Sequence, residues 1–467
     1  MKTKKLIALA LMGVMSCSVL AGCSQGKVAE KDGKVYVYDG TWPEESAVDG
    51  VKDMEAFRDD FQTENPDIVI VDDAGNYIDP QTYAAKANAK QLPTFNYMMF
   101  TDVKANAKAG YLRDITEIMK KNGLDTALND QMLDLVTYDG KIYGIPDNAY
   151  AQGLEINLNL FEQAGLIENG KPKVPNTWQE LAETAKVIRE KTGKAGYALP
   201  TKNNQGGWHF MNIAWSYGVE FMKQENDGSY TATFDSQEMR DALQYMYDLK
   251  WKYNALPDDI AIDKAGLESM FGSDEVAMMI ADPPTQSLTT AYDMNIDAIY
   301  ADRVPAGPSG RFAQMGGGIV VFSPEATDAQ VEAALKWMKF RGKETPTITE
   351  EEKERQAVLE TTPAKYRNRK VDIVKAKIGP QIVSLAASRE VFDIIPVNTN
   401  VKAENYENYL NMEDVTIKPE EPVCCQELYA ILDKLIQEVF TNENANIDEL
   451  VKTANNDFQV NHLDKMD

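Results

Sequence analysis

Two rhythms of apolar residues take turns along this chain. Lys34-Val-Tyr-Val-Tyr-Asp39 is a short β-prone run ending at Gly40, and Met54, Phe57 and Phe61 then mark one helix face closed by Asn65-Pro66. Ile68 to Val71 and Asn96 to Phe100 read as strands, and Leu112 to Met119 as a helix. A second series begins near Tyr143-Gly-Ile-Pro146. Leu154 to Phe161 reads as a strand running into a helix, and Thr177-x-x-Glu180 is a capping box at a helix start. Met239, Ala242, Leu243 and Met246 outline another helix ending near Trp251, and Val331, Ala334, Leu335 and Met338 outline one carrying Trp337. By spacing, Trp178, Trp251 and Trp337 belong mostly to the core. Repeated strand–helix units predict an α/β protein whose parallel sheet is covered on both faces. Pro- and Gly-rich loops are expected at Asn203 to Gly207, Asp282 to Pro284 and Val304 to Gly318, and solvated charged surface over 341–370.

The first apolar stretch has a different character. Lys2, Lys4 and Lys5 precede an apolar run from Leu6 to Leu20, which ends in Leu20-Ala21-Gly22-Cys23. A basic start, an apolar middle and small residues before a cleavage point make a secretory signal over 1–22. The run is shorter than the roughly 20 residues needed to span a bilayer. Cys23 stands where bacterial lipoprotein signals are cut and the cysteine receives lipid. Residues 23–26 are then a lipidated tether on the outer face of the cytoplasmic membrane, with no ATP, NAD or cellular nucleic acid at hand. At 467 residues the chain is long enough for two or three domains. Its net charge of -25 becomes more negative once the three signal lysines are gone, a surface that repels nucleic acid and anionic lipid. Beyond the signal only Cys424 and Cys425 remain. Cys424 shares helical spacing with Leu428, Ile431, Leu432 and Leu435, so it is expected as a buried thiol.

Catalytic machinery is scarce. His209 and His462 are the two histidines, and no His relay or zinc cluster is visible between them. Gly316-Gly317-Gly318 leads into the β-prone Ile319 to Phe322, whereas a phosphate cradle leads into a helix. Neither a cofactor nor a metal is called for. Aromatics beside polar loops carry more information. Trp42 follows Asp39-Gly-Thr, Trp208 and His209 follow Asn203-Asn-Gln205-Gly-Gly, Phe100 leads into Thr101-Asp102, and Tyr150 follows Asp147-Asn148. Residues beyond the carboxyl ends of α/β strands collect around ligands. Flat rings pack on the C–H face of a pyranose while Asp, Asn and Gln read its hydroxyls, which is the chemistry of a sugar cleft.

The lipobox, Tyr143-Gly-Ile-Pro146, Leu160-Phe-Glu-Gln-Ala-Gly-Leu166 and Pro175-Asn-Thr-Trp-Gln-Glu-Leu181 together resemble the family 1 extracellular solute-binding proteins. Met270-Phe-Gly-Ser-Asp-Glu-Val-Ala-Met278, Val304-Pro-Ala-Gly-Pro-Ser-Gly310 and Gly316 to Ser323 leading into Ala334 to Phe340 agree in the same order. These proteins are similar to maltose-binding protein and serve ABC importers. The resemblance implies a monomeric two-lobe fold of the type II periplasmic-binding-protein kind, with a hinge and an interlobe cleft for an oligosaccharide. It places crossings near 147–151, 280–283 and 315–317. Lobe one is then 27–149 plus 282–315, and lobe two 150–281 plus 316–467. Trp42, Thr101 and Asp102 would line lobe one, and Gln205, Trp208 and His209 lobe two. Gly316 and Gly317 would offer amides, with Asn398 and Asn400 from a late loop. Asp282 opens Asp282-Pro-Pro-Thr285, where an aromatic is often found. Other partners and roles compatible with the sequence are a cationic or peptide solute, a sensor kinase, and a polysaccharide-cleaving activity.

Overall fold

The computed structural model describes residues 27–466 apart from 45–47, 76, 78–79, 128–129, 282–287, 289–291, 293, 342–401 and 411. The signal, Cys23, Asp282, Asn398, Asn400 and most of the charged 341–370 stretch therefore lie outside the described residues.

Apolar side chains gather into two large cores joined by two strands. The first core forms around β1 (Lys34–Asp39), β2 (Ile68–Asp72) and β3 (Phe95–Met98). Strand β2 runs parallel to β1 from Ile68 beside Val35 to Asp72 beside Asp39, and β3 joins β1 where Phe95 meets Asp39. Helix α1 (Val48–Glu64) packs Phe57 and Phe61 into this core and stops at Asn65-Pro66, where proline cannot continue the ladder. The strands at 34–39 and 68–72 and this helix follow the sequence pattern closely. The helix expected over 112–119 begins later, as α2 (Thr116–Lys121).

Two strands bridge the cores. β4 (Gly144–Ala151) and β5 (Gly153–Asn157) follow one another out of the first core into the second. The long β8 (Arg311–Phe322) runs back antiparallel to β4, with Met315 beside Ala151 and Gly316 beside Tyr150. Ile145 and Met315 belong to the first core, Ala151 and Ala313 to the second, so the chain changes lobes within these two strands. A register shift at Gly318/Ile319 bends β8 at this point. The crossings expected near 147–151 and 315–317 fall within these two strands, whereas Ala281 and Leu288, on either side of the one expected near 280–283, pack in the same cluster.

The second core holds β5, flanked antiparallel by β6 (Met278–Ala281) and β7 (Ile299–Asp302). This sheet is antiparallel throughout, unlike the parallel sheet expected. β5 leaves the hinge while β6 and β7 both run against it, so every neighbour opposes it. Helices α3 (Trp178–Thr192), α4 (Gln205–Tyr217), α5 (Gln237–Trp251), α7 (Cys425–Thr441) and α8 (Ile447–Asn461) complete the lobe. Thr177 caps α3 by accepting from the Glu180 amide, as expected, while the Glu180 carboxylate reaches the Asn176 amide, one residue short of a reciprocal box. Trp178 and Trp337 are buried as expected, whereas Trp251 is 36% exposed and donates to the Val439 carbonyl.

The lobe boundaries differ from the expected ones. Leu288, Met294 and Ile299 pack with Ala195, Tyr406 and Tyr409 behind the second sheet, so the chain after Ala281 stays with lobe two. Ile319 to Phe322 and α6 (Asp328–Phe340) belong instead to lobe one. Pairing decides both cases: β7 bonds to β5, and Ile319 to Phe322 bond to β3. By these cores the described residues up to the hinge and 315–341 fall in lobe one, and the described residues of 151–313 and 402–466 in lobe two.

Candidate functional site

Between the lobes, beside the hinge, lies a cavity of ≈ 220 Å³. Lobe one supplies Met99 and Phe100, directly after β3. The hinge supplies Tyr150, Met315, Gly316 and Gly317. A Cβ on Gly316 would sit 2.4 Å from the Tyr150 ring, so glycine at this position makes room for the aromatic opposite it.

Lobe two contributes the start of α4. Asn203 and Asn204 both adopt left-handed backbone, at φ 62 and 65, a conformation asparagine tolerates better than most side chains. They turn the chain so that Asn203, Asn204, Gln205 and Trp208 line the cavity. The expected Gly-rich loop over 203–207 is thus helical from Gln205 onward. The glycines serve close packing: a Cβ on Gly207 would come 2.5 Å from the Tyr429 backbone of α7, and one on Gly206 would lie 2.6 Å from Asp433. Asp433 holds this end of α4 by accepting from the Asn204 amide at 2.8 Å and the Gly207 amide at 2.7 Å.

The adjoining wall is formed by Glu420, Gln426 and Tyr429, with Gln426 accepting from the Asn204 side chain at 3.3 Å. Tyr429 donates to one Glu420 oxygen at 3.3 Å, and the Thr101 hydroxyl of lobe one reaches the other at 3.4 Å. Burial, followed by the nearby Asp102 carboxylate, pushes Glu420 up to about 7 against the lowering pull of those two donors. Asp102 is itself pushed up to about 6 by burial and then by Glu427. Cys425 lies 3.4 Å from the Thr101 hydroxyl. It is the buried cysteine, not Cys424, because Cys424 takes a left-handed turn at φ 48 before α7 begins. Both thiols are free.

Of the residues expected to meet ligand, Phe100, Tyr150, Gln205, Trp208, Gly316 and Gly317 line the cavity, and Thr101 and Asp102 stand one layer behind through Glu420. Three others do not belong to the cavity. Asp39 is fully buried in lobe one, where its carboxylate accepts from the Thr41 amide and hydroxyl, the Trp337 indole and Arg341. Trp42 is buried beside it, with the Arg58 guanidinium 5.3 Å above its ring. His209 points away from the cavity and is buried. Its Nδ1 donates to the Gln205 carbonyl at 2.7 Å, burial drives its pKa down to about 4, and its neutral ring meets Trp208 edge-on at 5.0 Å. It positions Trp208 and does not contact ligand space.

Asn203, Asn204, Glu420, Gln426 and Tyr429 were not among the expected site residues. A signal existed for Glu420: Pro419-Glu-Glu-Pro422 holds two carboxylates rigidly just before an apolar helix pattern. Tyr429 follows Cys425 by four residues, on the same helix face.

This geometry has relatives. The bacterial extracellular solute-binding protein family model matches residues 56–346, and the chain belongs to that family. Its fold is the two-lobe type II periplasmic-binding-protein fold, and its members are binding proteins, not enzymes. Among curated relatives, the polygalacturonan/rhamnogalacturonan-binding protein YtcQ of Bacillus subtilis is 26% identical over 56% of this chain and 51% of its own length. The arabinooligosaccharide-binding protein of Halalkalibacterium halodurans is 25% identical over 32% of each chain. The chain spans about half the length, or less, of the curated relatives it matches. Among solved structures, an ABC transporter solute-binding protein from Thermotoga lettingae bound with α-D-tagatose superposes with TM-score 0.66 at 19% identity, over 90% of this chain and 97% of that one. UgpB of Mycobacterium tuberculosis with glycerophosphocholine gives 0.66 at 15% identity, over 92% and 98%. At such identities the likeness concerns the fold alone.

Proposed function

We propose that this protein is tethered through Cys23 to the outer face of the membrane, captures an oligosaccharide by lobe closure and delivers it to an ABC importer. The observation that carries the reading is the composition of the cavity. The half-buried rings of Trp208 and Tyr150 line it together with the carboxamides of Asn203, Asn204, Gln205 and Gln426, and the buried Phe100 and Tyr429 complete the lining. Rings cover the C–H faces of a sugar, and carboxamides accept and donate to its hydroxyls. The Lys264 backbone amide donates to Oε1 of the Gln205 side chain at 2.6 Å, which leaves the side-chain Nε2 to donate into the cavity. The polygalacturonan/rhamnogalacturonan named for YtcQ and the arabinooligosaccharide named for the Halalkalibacterium relative support a sugar ligand, one acidic and one neutral, and so leave its charge to be decided by the cavity. At ≈ 220 Å³ the half-open cavity is below the roughly 300–1,000 Å³ of pockets that engulf a drug-sized ligand, which suits it to part of a chain whose remainder lies along the cleft. Contacts from both lobes coexist only when the lobes close, and that difference in affinity drives closure.

A cationic solute is the second reading, because Glu420 places a carboxylate in the wall. Calorimetry on the full chain in detergent separates the two. We expect micromolar binding, equivalent to about -8 kcal/mol, to one or more neutral oligosaccharides. Silence toward the glycan panel with binding to a polyamine or peptide would replace the sugar reading.

A further inference from the structure

The cavity wall carries negative charge without a cation to balance it. Glu420 is the one charged side chain among the described lining residues, and no Lys or Arg joins it. Asp102 stands close enough to Glu420 for their charges to couple, and Glu427 couples in turn to Asp102. The nearest cations flanking α4 are already engaged with acids: Lys202 lies 3.6 Å from Asp263, and Lys264 lies 3.9 Å from Glu268.

A helix start facing a cavity ordinarily welcomes an anion, because its first amides are unpaired and its dipole is positive there. The start of α4 is already occupied. Asp433 accepts from the Asn204 and Gly207 amides, so a carboxylate of the protein itself fills the position that a ligand carboxylate would take. Two independent features therefore act in one direction: the anion-binding end is filled, and the lining beside it carries an acid.

We propose that this cavity selects uncharged glycans and rejects uronic acids, with Glu420 as the residue that discriminates. The inference rests on the sugar reading above and narrows it. A neutral sugar gives Glu420 hydroxyl donors, which a carboxylate accepts strongly. A uronate brings a second carboxylate beside Glu420 and Asp102, and like charges at close range in a partly desolvated site disfavour each other. The four carboxamides of the wall satisfy hydroxyls but cannot neutralise a charge. They also argue against a cationic ligand, which would call for several carboxylates aimed inward.

Calorimetry on the full chain in detergent, using galactan- and galacturonan-derived oligosaccharides of equal length beside other neutral glycans, tests the proposal. At about pH 8 the best neutral glycan is expected to bind at least about tenfold more tightly than the uronate series. The groups facing Glu420 are Asp102, Thr101, Cys425 and Tyr429, and of these Asp102 changes charge with Glu420 in the working range. Lowering the pH toward about 5 protonates Glu420 and Asp102, so the gap should narrow. Glu420→Gln should narrow it at constant pH while weakening the neutral ligand. If that variant folds poorly, the wild-type pH series decides alone. Equal or tighter binding of the uronates at about pH 8, or a gap indifferent to pH, would overturn the proposal and leave the sugar reading standing. Binding to no glycan of either kind would remove the sugar reading itself, and this inference with it.

Discussion

Trp208 and His209 are neighbours with opposite tasks. Trp208 lines the cavity, while His209 is sealed behind it with its Nδ1 on the Gln205 carbonyl. Because the imidazole is buried and its pKa lies near 4, it stays neutral through the range in which an ordinary histidine titrates. Its contribution is rigidity: the imidazole meets the indole edge-on and ties the first turn of α4 to itself. Trp208→Ala should therefore weaken glycan binding by about 1 kcal/mol or more, the worth of a good ring contact, with the thermal midpoint little changed. Calorimetry on the variant beside its circular-dichroism melt checks this, and an unchanged affinity in a folded variant removes Trp208 from the site. The sequence placed both residues at the ligand because position alone cannot tell a ring facing the cleft from one facing the core. Asp39 and Trp42 were misplaced for the same reason. They follow a strand's carboxyl end, as cleft residues do, yet Trp337 and Arg341 arrive from nearly 300 residues away to bury the carboxylate.

At the scale of elements, the contact between α4 and α7 sets the cavity's floor. Glycines at 206 and 207 let the helices approach to backbone distance, and Asp433 fastens the start of α4 through amides that a helix otherwise leaves unpaired. Burial raises the pKa of Asp433 and the amides of Gly207, Asn204 and Gly206 pull it back, so the carboxylate depends on those bonds for its stability. Asp433→Ala should cost about 1–3 kcal/mol in unfolding free energy, the penalty for leaving buried donors unsatisfied. It should also loosen 203–208, seen as faster amide exchange in that segment than elsewhere in lobe two. Exchange left uniform across the lobe would show that Asp433 does not organise the cavity. Local elements such as β1, α1 and the Thr177 cap were legible because each is written in consecutive residues. The pairing of Gly206-Gly207 with Asp433 spans more than 220 positions, and so the glycines read as a loop until the partner helix was in view. The lobe boundaries failed similarly, since β7 and α6 are assigned by their tertiary partners and not by their own pattern.

For the whole molecule, the balance between open and closed lobes is tied to protons. Asp102 sits in lobe one and Glu420 in lobe two, and the Thr101 hydroxyl joins their surroundings across the gap. Both carboxylates have raised pKa values, about 6 and about 7, so near about pH 5 both hold protons and the lobes meet without net repulsion. As pH rises through those values each loses its proton, and the two charges then face one another between the lobes, with Glu427 adding a third. Tyr429 and Cys425, pushed upward by burial, stay neutral and do not offset this. The sign follows: groups held protonated by the compact form favour it below their pKa values, and that advantage is lost on going alkaline. The ligand-free protein should accordingly expand between about pH 5 and about pH 8, read as a rising radius of gyration in small-angle X-ray scattering. Asp102→Asn should flatten the rise, because the amide keeps the shape and removes the titration. A neutral glycan should suppress the expansion in the wild-type protein by holding the lobes together when the carboxylates are charged. A radius independent of pH in the wild-type protein would mean that these groups do not meet in solution, and closure would then be governed by the hinge strands alone.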